Sequence, residues 1–200
     1  MKEKIIAKAS EMFLKLGFKS VTMDDIAGEM CISKKTIYKY FCNKELLIEQ
    51  GTTMVHAQIH GSINDIIEKN HNSIAENFEV RTMFNNMFIA AESSPLYQLK
   101  KHYPDIYRSV VHREIDECKR CFTQNIEKGM AQGFYRNDID VAASVLFYYS
   151  LIFSINENTP TERETQVLEL KALEYHTRAI ATPKGIAELE HHLETISKQL

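Results

Sequence analysis

Residues Thr22 to Lys44, TMDDIAGEMCISKKTIYKYFCNK, hold two short helical patterns separated by too few residues for anything but a tight turn. Thr22 stands where it caps the first, and Asp25, three residues on, returns the bond, the spacing of a capping box. Met23, Ile26, Ala27 and Met30 recur at helical period and make one apolar face. Cys31 and Ile32 form the turn. Ser33 is the second N-cap, and Ile37 with Tyr40 or Phe41 is the inward face of the second helix. That leaves Lys34, Lys35, Thr36, Tyr38 and Lys39 directed mostly outward. Four lysines and no acid lie between Glu29 and Glu45. A short helix that stands off a small core and presents only cationic and hydrogen-bonding groups suits the DNA major groove. The pattern predicts a helix-turn-helix.

Extended to Leu47, this stretch resembles the DNA-binding segment of the tetracycline-repressor (TetR) family of bacterial transcription regulators. Thr22, Ile26-Ala27, Ser33, Thr36-Ile37-Tyr38, Tyr40-Phe41 and Lys44-Glu45-Leu46-Leu47 carry the resemblance, which covers roughly the first quarter of the chain. Beyond it the likeness rests on length, on helical layout and on the phrase RAIATPKGIAELEHHL near the C-terminus. The family usually has Gly where Cys31 stands. If that turn needs a positive φ, a side chain there costs on the order of 1 kcal/mol.

The resemblance implies an all-α protein with two parts. Residues 1–46 are the expected three-helix DNA-binding domain, and residues 47–200 an expected helical bundle for effector binding and dimerisation. It implies that Lys34, Lys35 and Thr36 approach base edges of a pseudo-palindromic operator. Tyr38, Tyr40, Lys44 and Thr22 are the expected phosphate contacts. It implies a ligand-responsive repressor, repression being the family's commoner mode.

Charge is distributed to match. The net charge is −3, yet residues 1–50 hold nine lysines and seven acids, leaving fifteen bases and twenty acids for the rest. The excess positive charge lies where the motif is. Acidic and basic residues in the first turns exclude a secretory leader. The longest apolar stretch, Val141 to Ile155, is too short for the roughly 20 residues of a membrane span. A cytoplasmic protein without a membrane partner is expected, with its four cysteines reduced. Cys118 and Cys121 form a CxxC inside a helical pattern with no second ligand pair, so buried filler is the reading and no metal site is expected.

The remaining helices follow from caps and breakers. The first spans about Lys2 to Leu16, with Gly17 as its C′ residue. Asn43 caps a fourth from Lys44 to about Lys69, and Gly51 and Gly61 inside it require support from packing. A polar stretch from Asn70 to Asn77 precedes a fifth, marked by Val80, Met83, Phe84, Met87, Phe88 and Ala91. Pro95 and Pro104 open the sixth and seventh. Asp140 caps the apolar eighth, and Thr161 with Glu164 forms a capping box for the ninth. After Pro183, Ile186, Leu189, Leu193, Ile196 and Leu200 mark a final amphipathic helix.

Met83, Phe84, Met87, Phe88, Tyr107 and Phe122 are candidates for an adaptable pocket for an apolar or aromatic effector. Asn85, Asn86, Gln98 and His102 are the polar residues available to orient it. The eighth and ninth helices carry apolar residues on more than one face, such as Val145, Leu146, Tyr149 and Phe153, and Val167, Leu170, Leu173 and Ile180. Such helices must be covered on both sides, and the family pairs them across a two-fold axis, so a homodimer is expected. An enzyme is not. The chain has no Gly-rich phosphate loop, nucleophile elbow or HExxH, and it lacks the paired Glu-x-x-His of a di-iron bundle. No cofactor is expected. A protein-interaction bundle explains the body but leaves the acid-free lysine helix without purpose.

Overall fold

The computed structural model describes residues 1–198. Ten helices follow one another: α1 (Lys2–Leu16), α2 (Met23–Glu29), α3 (Lys34–Tyr38), α4 (Lys44–Glu68), α5 (Ser73–Phe88), α6 (Pro95–His102), α7 (Pro104–Ala131), α8 (Val141–Asn158), α9 (Glu162–Ile180) and α10 (Pro183–Ser197). The described residues contain no strand, only an isolated antiparallel bridge between Tyr135 and Ala181. Leu200, expected to end the last apolar stripe, lies outside the described residues.

The chain divides into two compact units. The first comprises Met1–Gly61, Met87–Arg113 and Asn156–Thr165. Its core joins Ile5, Ala9 and Phe13 of α1, Ile26 of α2, Ile37 of α3 and Leu47 and Ile48 of α4 to Leu99, Ile106 and Val110. The helix-turn-helix is thus one wall of a core that also includes α6 and the start of α7. Gly17 ends α1 with φ of 92° and its N–H on the Phe13 carbonyl. A β-carbon at Gly17 would lie 2.7 Å from Gln98 Oε1, so backbone and neighbour both demand glycine.

Among the described residues, the second unit comprises Ser62–Asn86, Glu114–Ile155 and 166–198. Ile74, Phe78, Ile126, Tyr135, Val145, Leu173, Ile180 and Leu189 form its core. Here α5 begins well before Val80, because the polar stretch is the cap and first turn of the helix rather than a linker. Asn72 Oδ1 accepts from the amides of Ile74 and Ala75 at 3.1 and 2.9 Å. Glu76 is buried but paired with Lys128 at 2.6 Å and with the Asn125 amide at 2.8 Å, the condition under which a carboxylate is tolerated inside. Gly129 lets the Tyr135 ring lie where a β-carbon would collide with it.

The two apolar faces of α8 and α9 separate in the structure. Val145, Leu173 and Ile180 are buried, whereas Leu146 and Val167 are each half exposed. Leu170 packs against the core of its own unit. Leu173 therefore serves the subunit interior, and half-buried Leu170 packs against it.

Candidate nucleic-acid interface

The site is built from local hydrogen bonds first. The N–H of Thr22 donates to Asp25 Oδ2 at 2.8 Å, and the N–H of Asp25 donates to Thr22 Oγ1 at 3.1 Å, closing the capping box of α2. The Thr22 hydroxyl, which donates to Asp25 Oδ2 at 2.8 Å, and the Thr22 N–H together hold the Asp25 carboxyl below its ordinary range. Ser33 Oγ accepts the N–H of Thr36 at 3.1 Å and caps α3. Such a cap contributes about 1 kcal/mol. In the turn, Cys31 has φ of 53°, the left-handed region that favours glycine.

Packing then fixes which face of α3 is presented. Ile37 and Phe41 are fully buried, each contributing about 1.5–3 kcal/mol by its burial. With those two turned inward, Lys34, Lys35, Tyr38, Lys39 and Tyr40 are exposed, and Thr36 is half-buried. Tyr40 stands on the outer face with 41% of its surface exposed, so Phe41 takes the inward position.

Besides Thr22, held in its capping box, three expected contact residues are engaged within the protein. Lys34 Nζ lies 2.6 Å from Asp24 Oδ2 on α2, and that bond raises its pKa. Thr36 Oγ1 and Ser33 Oγ are 2.9 Å apart. Lys44 is half-buried, with Nζ donating to the Lys19 carbonyl at 3.2 Å and lying within 6 Å of the Phe13 and Tyr103 ring centres. Burial lowers its pKa. Lys35, Lys39, Tyr38 and Tyr40 make up the outward cationic and phenolic surface.

Sequence reasoning missed a clasp on this unit. Gln98 Oε1 accepts the Phe18 N–H at 2.8 Å, and the Tyr103 hydroxyl donates to the Phe18 carbonyl at 3.3 Å. Gln98 is thus bonded to backbone rather than poised for a ligand. No sequence signal links residues 80 and more positions apart.

The six pocket candidates are all half-buried. Met87, Phe88 and Tyr107 belong to the first unit and Met83, Phe84 and Phe122 to the second. The Tyr107 hydroxyl donates to Glu157, and Phe122 packs on Tyr148 with ring centres 5.0 Å apart. A cleft of about 120 Å³ in the second unit is lined instead by Ser144, Phe147, Tyr148, Leu151, Tyr175, His176, Ala179 and Ile180 of α8 and α9. Cys118 and Cys121 are half-buried, and burial pushes the Cys118 thiol up to about 12. Thiols so protonated are poor nucleophiles.

A capped three-helix head with an outward basic helix, followed by a helical body, defines a helix-turn-helix DNA-binding transcription regulator. The family description "Bacterial regulatory proteins, tetR family" matches residues 5–50. The chain is 25% identical over 133 residues to IcaR of Staphylococcus aureus, a negative transcriptional regulator of a biofilm operon, covering 64% of this chain and 68% of that one. It is 27% identical over 156 residues to YdeS of Bacillus subtilis, an uncharacterised helix-turn-helix regulator, covering 74% of each. Reduced NemR of Escherichia coli shares the fold at a TM-score of 0.72 and 17% identity, over 91% of this chain and 97% of that one. These matches together support membership of the tetR family of bacterial regulatory proteins. Members of that family bind operator DNA and small effectors and form dimers. Among the described residues, no helix is long and apolar enough to cross a membrane.

Proposed function

We propose that this protein is a ligand-responsive repressor that binds a pseudo-palindromic operator as a homodimer paired through α8 and α9. The observation that carries the DNA-binding half is the division of α3, with Ile37 and Phe41 at 0% exposure and Tyr38 and Tyr40 above 40%. Lys34, Lys35 and Thr36 read base edges in this proposal, and Tyr38, Tyr40, Lys44 and Thr22 hold phosphates. Lys44 and Lys34 exchange their internal partners for DNA as they do so. The relatedness to IcaR, named a negative regulator, supports repression.

Pairing through α8 and α9 is supported by their outer faces. Phe147 and Tyr175 are 71% and 72% exposed, with Leu146, Leu151, Val167 and Leu168 around them. Exposed large apolar side chains grouped on two neighbouring helices mark a contact surface. Two heads held by one dimer combine their affinities, which a single short helix cannot match. The effector reading rests on the likeness to the family and on the half-buried Met87, Phe88 and Tyr107 of the first unit.

The test is a titration of the purified protein against DNA from the region flanking its own gene, over a range of salt. A phosphate-contacting dimer loses affinity linearly in log–log form, with a slope of about −0.9 per phosphate neutralised. A protein-interaction bundle shows no DNA binding to lose, and that result would end the proposal.

A further inference from the structure

Within the first unit, α7 turns Ile106 and Val110 toward the core, each 9% exposed. The next residue on that face, one turn further, is Arg113. Its guanidinium is oriented from α4. Nη1 donates to Thr53 Oγ1 at 3.0 Å, and that hydroxyl donates onward to the Glu49 carbonyl at 2.9 Å. The other edge, Nε and Nη2, is buried, and no described residue offers either nitrogen an acceptor.

Those two nitrogens carry parallel N–H groups, the edge of the fork that takes both oxygens of a carboxylate. A half-buried cation whose two buried donors stay open is unfavourable, and Leu or Met at this position would continue the apolar stripe at no such cost. Met87 and Phe88, half-buried pocket candidates, belong to the same unit. We propose that the Nε–Nη2 edge of Arg113 anchors the carboxylate of an apolar organic acid, the effector of this regulator. The proposal rests on the reading that the body takes an effector, and it names the effector's class. A single guanidinium edge satisfies two oxygens and one charge, which matches a carboxylate. A phosphate has more oxygens and more charge than this edge can serve. Thr53 is a positioning residue, since it holds Nη1 and so aims the open edge.

The full-length protein is titrated calorimetrically with hexanoate, decanoate and 4-phenylbutyrate, each against its own primary amide. At least one acid will bind tenfold or more tightly than its amide. In Arg113→Met that ratio will fall to about one, while the thermal midpoint without ligand holds or rises. Should Arg113→Met fail to fold, Arg113→Gln carries the same comparison. Equal binding of acids and amides overturns the acid class and leaves the effector reading standing. An acid preference that survives in Arg113→Met overturns the anchor. If neither acids nor amides bind, the effector reading falls and this proposal with it.

Discussion

Gln98 on α6 accepts the backbone N–H of Phe18, just past the end of α1, at 2.8 Å across 80 residues of sequence. The Tyr103 hydroxyl donates to the carbonyl of the same residue, so α6 and its C-cap hold both backbone polar groups of one residue next to the DNA-binding helices. Further bonds tie α6 down at its N-cap and in its last turn. Ser94 Oγ donates to the Asn156 carbonyl at 2.8 Å, and Lys100 pairs with Glu157 at 3.0 Å. A displacement of α6 would be felt at Phe18 through directed bonds.

Gln98→Ala will therefore destabilise the protein. It strands the N–H of a residue that is only 4% exposed, a loss of about 1–3 kcal/mol. Gly17→Ala will cost more, because the positive φ and the collision with Gln98 act together. Urea midpoints with unchanged slopes check both, and a Gln98→Ala protein as stable as the parent would show the clasp to be incidental.

The ion pair between Lys34 and Asp24 makes an unusual demand on the DNA interface. Asp24→Asn removes a carboxylate beside the recognition helix and releases Lys34, so operator affinity will rise several-fold at low salt. The salt dependence will steepen by up to about 0.9 if Lys34 then meets a phosphate. Tyr38→Phe will weaken binding to all sequences by about 1 kcal/mol, the worth of one hydroxyl hydrogen bond. Anisotropy on specific and scrambled duplexes separates these effects from a change in sequence preference.

Charges on α8 and α9 will act according to which face they fall on. Phe147→Asp and Tyr175→Asp, at outward positions, will leave folded monomers in sedimentation. Leu173→Asp, at a position 2% exposed, will unfold the subunit, as burial of an unpaired charge does. A Phe147→Asp protein that stays dimeric would place the interface elsewhere.

His176 sets an acid limb on stability. It stacks on Tyr148 with ring centres 4.2 Å apart, and burial depresses its pKa from 6.5 to about 4. The unfolded chain therefore binds the extra proton first as pH falls. Stability from this group is fully present above pH 6.5 and is lost progressively toward pH 4. The loss is on the order of 3 kcal/mol for a shift of this size. Asp25, lowered from 3.8, stabilises throughout that window, and its contribution is lost only as pH falls below 3.8. His176→Gln will flatten the stability curve between pH 6.5 and 4, measured by urea denaturation in that interval.

Cys31→Gly will stabilise the head modestly. Relief of a left-handed side chain returns about 1–2 kcal/mol, offset by about 0.4–1 kcal/mol from the freer unfolded chain. A net gain of roughly half to one kcal/mol follows from these two terms, and the thermal midpoint reads it.

The sequence by itself determined the helices and the reading head. Thr22 with Asp25, Ser33 with Thr36 and Asn43 with Leu46 are partners within three residues, so their bonds are settled as soon as the local chain is helical. Period alone likewise placed Ile26 and Ile37 inside, because one face of a short helix packs on one small core. Tertiary structure decided what periodicity leaves open. On α8 and α9, apolar most of the way round, only the neighbours they pack against separate buried Val145 and Leu173 from exposed Phe147 and Tyr175. Glu76 of α5 is accommodated inside because it finds Lys128, a pairing made across two helices. The Gln98 clasp and the open edge of Arg113 belong to the same class. They depend on how α6 and α7 pack against α1 and α4, and that packing registers groups far apart in the chain that no local interaction prepares.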